Sequence, residues 1–274
     1  MAKIVRALSE DGGAFAAAID AADMVNELIR IHGLNVSAAA HLGKLALACS
    51  LMGSLMKNSG DKLTLSVNSG GTLGSLLAES DYMGNVRAKA DNPHAFEEPL
   101  VTGSGTFHSI KDIGLKVPHS AQVPLQSPDI ADNVMAYYIL SEQIPTFCAF
   151  QLSFEGGKAV YAGGYIVQAL PPVSKEVIKQ IEVNAAVPVA LGTNAEQLAL
   201  AALAGMNANL LDSWDCFVHC SCSAEHTIDM LAALPKPDLE ALFVDGENIE
   251  VCCDFCGKRY VFNSEQAKKL ISLE

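Results

Sequence analysis

Positive charge is scarce in this chain. Its 274 residues carry 18 Lys+Arg against 31 Asp+Glu, a formal charge of −13. A nucleic-acid backbone or an anionic membrane demands a basic surface, so neither is expected as a partner. The amino terminus, MAKIVRALSEDGG, lacks both the apolar run and the small-residue cleavage site of a secretory signal, and a cytosolic setting is expected. A long uncharged apolar stretch is missing as well. The most apolar segment, SAAAHLGKLALACSLMGSLMK from Ser37, is interrupted by His41 and Lys44. It reads as a buried helix, since a membrane span needs about 20 largely uncharged residues. Paired catalytic carboxylates, a nucleophile elbow and a phosphate loop are also lacking: NSGGTLGS has the glycines but no following Lys-Ser/Thr, and reads as a hairpin turn. No enzymatic activity is expected.

What is present suits a globular protein. Half of the residues are hydrophobic, and the length accommodates one large domain with a small appendage. From Lys3 to about Pro172 strands alternate with helices. KIVRAL, KLTLSVNS, YMGNVRAKA and KAVYAGGYIVQALPP read as strands, with Leu63, Leu65 and Val67 sharing one face at period two. Helices are expected around Ala21–His32, Ala38–Met56 and Asp129–Glu142. Beyond Pro171-Pro172, SKEVIKQIEVNAAV places Val177, Ile178, Ile181 and Ala185 on one helical face, with Ser174 as N-cap. Thr193 and Glu196 then form a capping-box pattern that opens a second helix, AEQLALAALAGMNANLL. The expectation is an α+β fold: a mixed sheet-and-helix domain over 1–172, a helical linker over 173–215 and a small zinc-binding domain over 216–274.

Six of the eight cysteines fall after position 215. In a reducing cytosol a structural disulfide framework is disfavoured, and clustered cysteines point to metal or redox work. Cys220 and Cys222 form C-x-C, Cys253 and Cys256 form C-x-x-C, and 30 residues separate the pairs. Each pair supplies two thiolates from a local turn and the insert lets the chain return, as a tetrahedral site requires. Four thiolates with no other ligand suit Zn²⁺ first. Each half also lies within reach of closing on itself if its thiolates are oxidised. Structural zinc contributes on the order of 10–16 kcal/mol in small domains, and there it is folding energy. Loss of the metal is therefore expected to unfold the segment and to withdraw support from helices that lean on it.

The remaining candidates are weaker. Cys252 precedes Cys253 directly and points the other way in an extended segment, while Cys216 is the alternative ligand. His219 and His226 read as surface residues, and Cys49 and Cys148 as small core residues. Two other functions fit parts of the pattern. One is a zinc-ribbon module for nucleic acid, against which residues 216–274 hold five Lys+Arg and ten Asp+Glu. The other is a thiol-disulfide oxidoreductase using Cys253 and Cys256, although CDFCGKRYVF leads into a strand where a thioredoxin-like site opens a helix.

These features together resemble the redox-regulated chaperones of the heat shock protein 33 family. The resemblance rests on CSCS at Cys220–Ser223, CDFCGKRYVFN from Cys253, HLGKLALACSLM from His41, PLQSPDIADNVMAYYILSEQIPT from Pro124 and AGGYIVQALPP from Ala162. It covers nearly the whole chain in order. The family pattern departs here at Glu225-His226, at Arg87-Ala88-Lys89 and in EDGGAF, none of which touches the four cysteines. The resemblance implies an ATP-independent holdase, inactive while Cys220, Cys222, Cys253 and Cys256 hold one Zn²⁺. It implies oxidation to the disulfides Cys220-Cys222 and Cys253-Cys256, with zinc release and unfolding of the zinc domain and linker. It also implies a homodimer that holds unfolding client proteins until ATP-dependent foldases take over.

Overall fold

The structure, a computed structural model, describes residues 1–102, 104–235, 237–238, 242 and 248–263. The chain divides into two units, Met1–His219 and Cys220–Glu274. The first contains the strands β1 (Ala2–Leu8), β2 (Ala14–Asp20), β3 (Lys62–Asn68), β4 (Ser75–Asp81), β5 (Val86–Ala90), β6 (Thr106–Asp112), β7 (His119–Pro124), β8 (Thr146–Glu155), β9 (Lys158–Ala169) and β10 (Asn209–Cys216), with buried residues at period two clearest in β3 and β4. Between them lie α1 (Ala22–His32), α2 (Val36–Ser54), α3 (Ile130–Tyr137) with a π-helical turn at Tyr138–Glu142, α4 (Lys175–Ala185) and α5 (Ala195–Ala202). The strands form two antiparallel five-stranded sheets in the orders β10-β1-β2-β9-β8 and β5-β4-β3-β6-β7.

Helix α2 packs against strands of both sheets, which explains its composition. It is apolar on every side because nearly every side meets protein: Leu42, Leu45, Leu47 and Leu51 are fully buried. Length and composition alone would let α2 cross a membrane, but 72% of its most apolar window is buried inside the protein. Asn35 caps it, its side chain accepting from the Ala38 amide. Gly53 permits close approach to the second sheet, since a Cβ there would lie 2.7 Å from the Asp81 carbonyl oxygen. The core around α2 joins Ile4, Ile19 and Ile166 of the first sheet to Leu63, Leu65, Val67 and Phe107 of the second.

The outer face of the first sheet is made of small residues: Ala7, Ala14, Ala16, Ala18 and Ala169, with Val5, Tyr165 and Val167. Helices α4 and α5 cover it through Ile181, Ala195, Leu198, Ala199 and Ala202. Ser174 caps α4 as its sequence suggests, accepting from the Val177 amide. The start of α5 differs from expectation by one residue: the capping box is made by Asn194 and Gln197, not by Thr193 and Glu196. Thr193 instead donates its hydroxyl proton to the Ala190 carbonyl at 2.7 Å. The helix is also shorter than AEQLALAALAGMNANLL implies. It ends at Ala202, and Gly205 and Asn207 turn the chain at φ of +80° and +47°. The segment from Asn209 then becomes β10 by pairing with the free edge of β1, from Ala2 opposite Cys216 to Leu8 opposite Asn209.

The second unit contains α6 (Ala224–Ala232) and a hairpin of β11 (Ile249–Cys252) and β12 (Arg259–Phe262). Its apolar cluster consists of buried Leu231, Tyr260 and Phe262, flanked by Cys222, Ala224, Ile228 and Val251. Three buried side chains are too few to offset the entropy of ordering a chain of this length. Among the described residues, the second unit therefore needs a stabiliser besides its core.

Candidate metal centre

Two local structures present four sulfurs to one point. Cys220 and Cys222 lie on the extended stretch that enters α6, where the Ser223 side chain accepts from the His226 amide and fixes the helix start. Cys253 and Cys256 lie in the turn joining β11 to β12. That turn is closed by the Gly257 amide donating to the Cys253 carbonyl at 2.8 Å and the Cys253 amide donating to the Lys258 carbonyl at 2.9 Å. Gly257 at φ +70° supplies the left-handed step the turn requires.

The four Sγ atoms all lie within 4.8 Å of one another. The contacts across the two halves are 3.7 Å for Cys220–Cys253 and 3.4 Å for Cys222–Cys256. A tetrahedral zinc–sulfur site with bonds of about 2.3 Å has edges of about 3.8 Å, so the donor set fits Zn²⁺ in number, chemistry and spacing. Among the described residues, no second group of three or more His, Cys, Asp or Glu side chains converges in this way.

Electrostatics favour a cation at this point. Burial raises the Cys222 thiol, but the Tyr260 hydroxyl and the neighbouring sulfurs outweigh it and bring it to about 7. Burial and the adjacent sulfurs push Cys256 up to about 12, and burial raises Cys253. One negative charge is thus easily held among the four sulfurs, and further charges are resisted. A dication reverses that resistance by neutralising thiolates that repel each other. Against that rise, the backbone amides of Phe255 and Cys256 act to lower the Cys253 thiol, and that of Lys258 to lower the Cys256 thiol. The Tyr260 hydroxyl donates to Cys222 Sγ at 3.1 Å.

The other sequence candidates lie elsewhere. Cys216 ends β10 in the first unit, fully buried, with the Ser50 hydroxyl 3.8 Å from its sulfur; burial pushes its thiol up to about 11. It is not part of the sulfur group. Cys252 is exposed and pairs with Arg259 in the hairpin ladder. His219 and His226 are exposed, and neither joins the cysteines. Cys49 and Cys148 are buried. Tyr260 escaped sequence reasoning, although strand alternation along RYVF places it inward with Phe262 and just beyond Cys256. The C-x-x-C leads into β12, not into a helix, which removes the thioredoxin-like arrangement.

Comparison with known proteins agrees with this architecture. The profile of the Hsp33 protein family matches residues 2–263. A 33 kDa chaperonin of Clostridioides difficile is 31% identical, covering 98% of each chain. One from Agathobacter rectalis is 32% identical over 97% of this chain and 98% of its own. The crystal structure of a 33 kDa chaperonin from Thermotoga maritima, a heat shock protein 33 homolog, superposes with a TM-score of 0.87 at 24% identity. That superposition covers 99% of this chain and 98% of the other.

Proposed function

The chain belongs to the heat shock protein 33 family of chaperones, and on that premise we propose that it is a redox-regulated, ATP-independent holdase. Cys220, Cys222, Cys253 and Cys256 hold one Zn²⁺ in the reduced, inactive state. Peroxide or hypochlorite is the oxidant. With peroxide, each pair of thiolates loses two electrons to form a disulfide, and one peroxide, taking up those electrons and two protons from solvent, is reduced to two waters. The pairs are Cys220-Cys222 and Cys253-Cys256, neighbours along the chain that close with small backbone adjustment. Two disulfides leave no thiolate for the metal.

The observation that carries this reading is the coincidence of a four-sulfur site with a unit whose described core has three buried side chains. Where a metal supplies the folding energy, oxidation of its ligands is an unfolding signal. The segment over 173–215 is the linker that we propose follows the zinc domain over 216–274 into disorder. In α4 only Ile181 is buried, so the hold of this helix on the sheet is slight. Its release, with α5, uncovers the alanine-rich face of the first sheet within the domain over 1–172 as a surface for unfolding proteins. The active form is a cytoplasmic homodimer that passes its clients to ATP-dependent foldases, and neither nucleic acid nor membrane is a partner.

The test combines three measurements on one sample. Peroxide with mild heat should release about one zinc per chain, consume four thiols and create activity that keeps a denatured client soluble. Oxidised, zinc-free protein that leaves the client aggregating as fast as buffer alone would refute the assignment.

A further inference from the structure

Tyr260 sits where the small core of the second unit meets its sulfurs. Its ring is 7% exposed, packed with Leu231 and Phe262, and its hydroxyl reaches Cys222 Sγ at 3.1 Å. Lys258 places its ammonium 5.1 Å from the centre of the same ring. The two halves of the site are thus held in different ways. The C-x-x-C sulfurs stand in a turn closed by its own backbone, the Gly257 amide donating to the Cys253 carbonyl and the Cys253 amide to the Lys258 carbonyl. Cys222 receives a side-chain hydroxyl delivered across the unit from β12.

A hydrogen bond to a metal-bound thiolate draws charge off the sulfur. It makes the sulfur a weaker nucleophile towards electrophilic oxidants and holds it in orientation towards the metal. We propose that Tyr260 is a positioning residue of the switch: its hydroxyl fixes Cys222 in the metal site and restrains the reactivity of that sulfur. Because the ring is also core, the donor is in place only while β12 is packed. This inference rests on the zinc reading above and deepens it.

The test is made on the full chain under reducing conditions, with no chaperone assay involved. Tyr260→Phe keeps the ring and removes the donor. In the zinc-loaded variant, alkylation by iodoacetamide, resolved by residue, should be about 2- to 10-fold faster at Cys222 than in the parent, the rate equivalent of one neutral hydrogen bond. Cys253 and Cys256 should react as before. Zinc affinity measured against a chelator should fall about 10-fold or more. Should the variant lose zinc during preparation, the cadmium-loaded proteins decide, because cadmium binds thiolates more tightly: the ¹¹³Cd resonance should move between parent and variant. An unmoved resonance with unchanged alkylation at Cys222 would overturn the proposal, as would equal acceleration at all four cysteines. A parent chain that binds no metal would instead overturn the zinc reading on which the proposal depends.

Discussion

The two units of this chain reach order by different physics. Met1–His219 buries both faces of its first sheet, one against α2 and the other against α4 and α5, around long rows of fully buried Leu, Ile, Val and Ala. Such a core is diffuse: no single side chain decides whether it forms. Among the described residues of Cys220–Glu274, three buried apolar side chains adjoin four sulfurs within 4.8 Å of one another. There the decisive interactions are few and chemically reactive. On the proposed function, the contrast would make one chain robust in one part and conditional in another, the conditional part being where six of the eight cysteines fall.

Four perturbations break or sharpen that contrast, in falling order of expected effect. Chelating the metal, or replacing one ligand by Cys253→Ser, should remove on the order of 10 kcal/mol from the second unit. Hydrogen exchange resolved along the chain should then show lost protection at β11, β12 and α6 with β2–β9 unchanged, and equal loss in both units would dissolve the distinction. Ile181→Ala should cost about 2–5 kcal/mol, all of it in the hold of α4 on the first sheet. Limited proteolysis within α4 under reducing conditions, with zinc retained, reads that loss, and an unaltered digestion pattern would mean that α4 is held by something else. Asn194→Ala removes the capping box of α5 at about 1 kcal/mol, seen as a small drop in the thermal midpoint of the first unit; Thr193→Ala should do less, and the reverse order would restore the cap to Thr193. Arg259→Ala breaks an ion pair with Glu250 whose side chains are 71% and 51% exposed. Its effect should stay below about 1 kcal/mol, and a zinc affinity shifted tenfold would show that this pair reaches the metal site.

Much of this architecture can be read from residue order, and the exceptions have identifiable causes. The strand at Leu63–Val67 and the helix at α2 carry strong local patterns that survive in the fold. The four cysteines announce themselves by spacing, which is a property of the ligands and needs no knowledge of the surrounding packing. β10 was hidden because its burial pattern is almost uniformly exposed up to Cys216. It owes its conformation to the hydrogen-bonding edge of β1, a partner more than 200 residues away in sequence, from Leu8 opposite Asn209 to Ala2 opposite Cys216. The cap of α5 was misplaced by one residue because Thr193 and Asn194 are both good caps, and only the position of the Ala190 carbonyl sets the Thr193 hydroxyl aside. Cys216 was a plausible ligand by proximity in sequence, four residues before Cys220. The intervening segment is tied to β5, where the Val86 amide donates to the Phe217 carbonyl and the His219 amide to the Val86 carbonyl. That tie keeps Cys216 beside Ser50.

The alanine face of the first sheet has one more implication. A surface made largely from Ala7, Ala14, Ala16, Ala18 and Ala169, with Val5, Tyr165 and Val167 as its larger side chains, has little relief. Recognition of a particular sequence relies on depressions that fit particular side chains, and a plain of methyl groups stores little such information. If it receives clients as proposed above, it would discriminate by how much apolar chain is offered and scarcely by its order, so vocabulary would be broad and grammar absent. A protein that must meet whatever happens to be unfolding is better served by that illiteracy than by a lock.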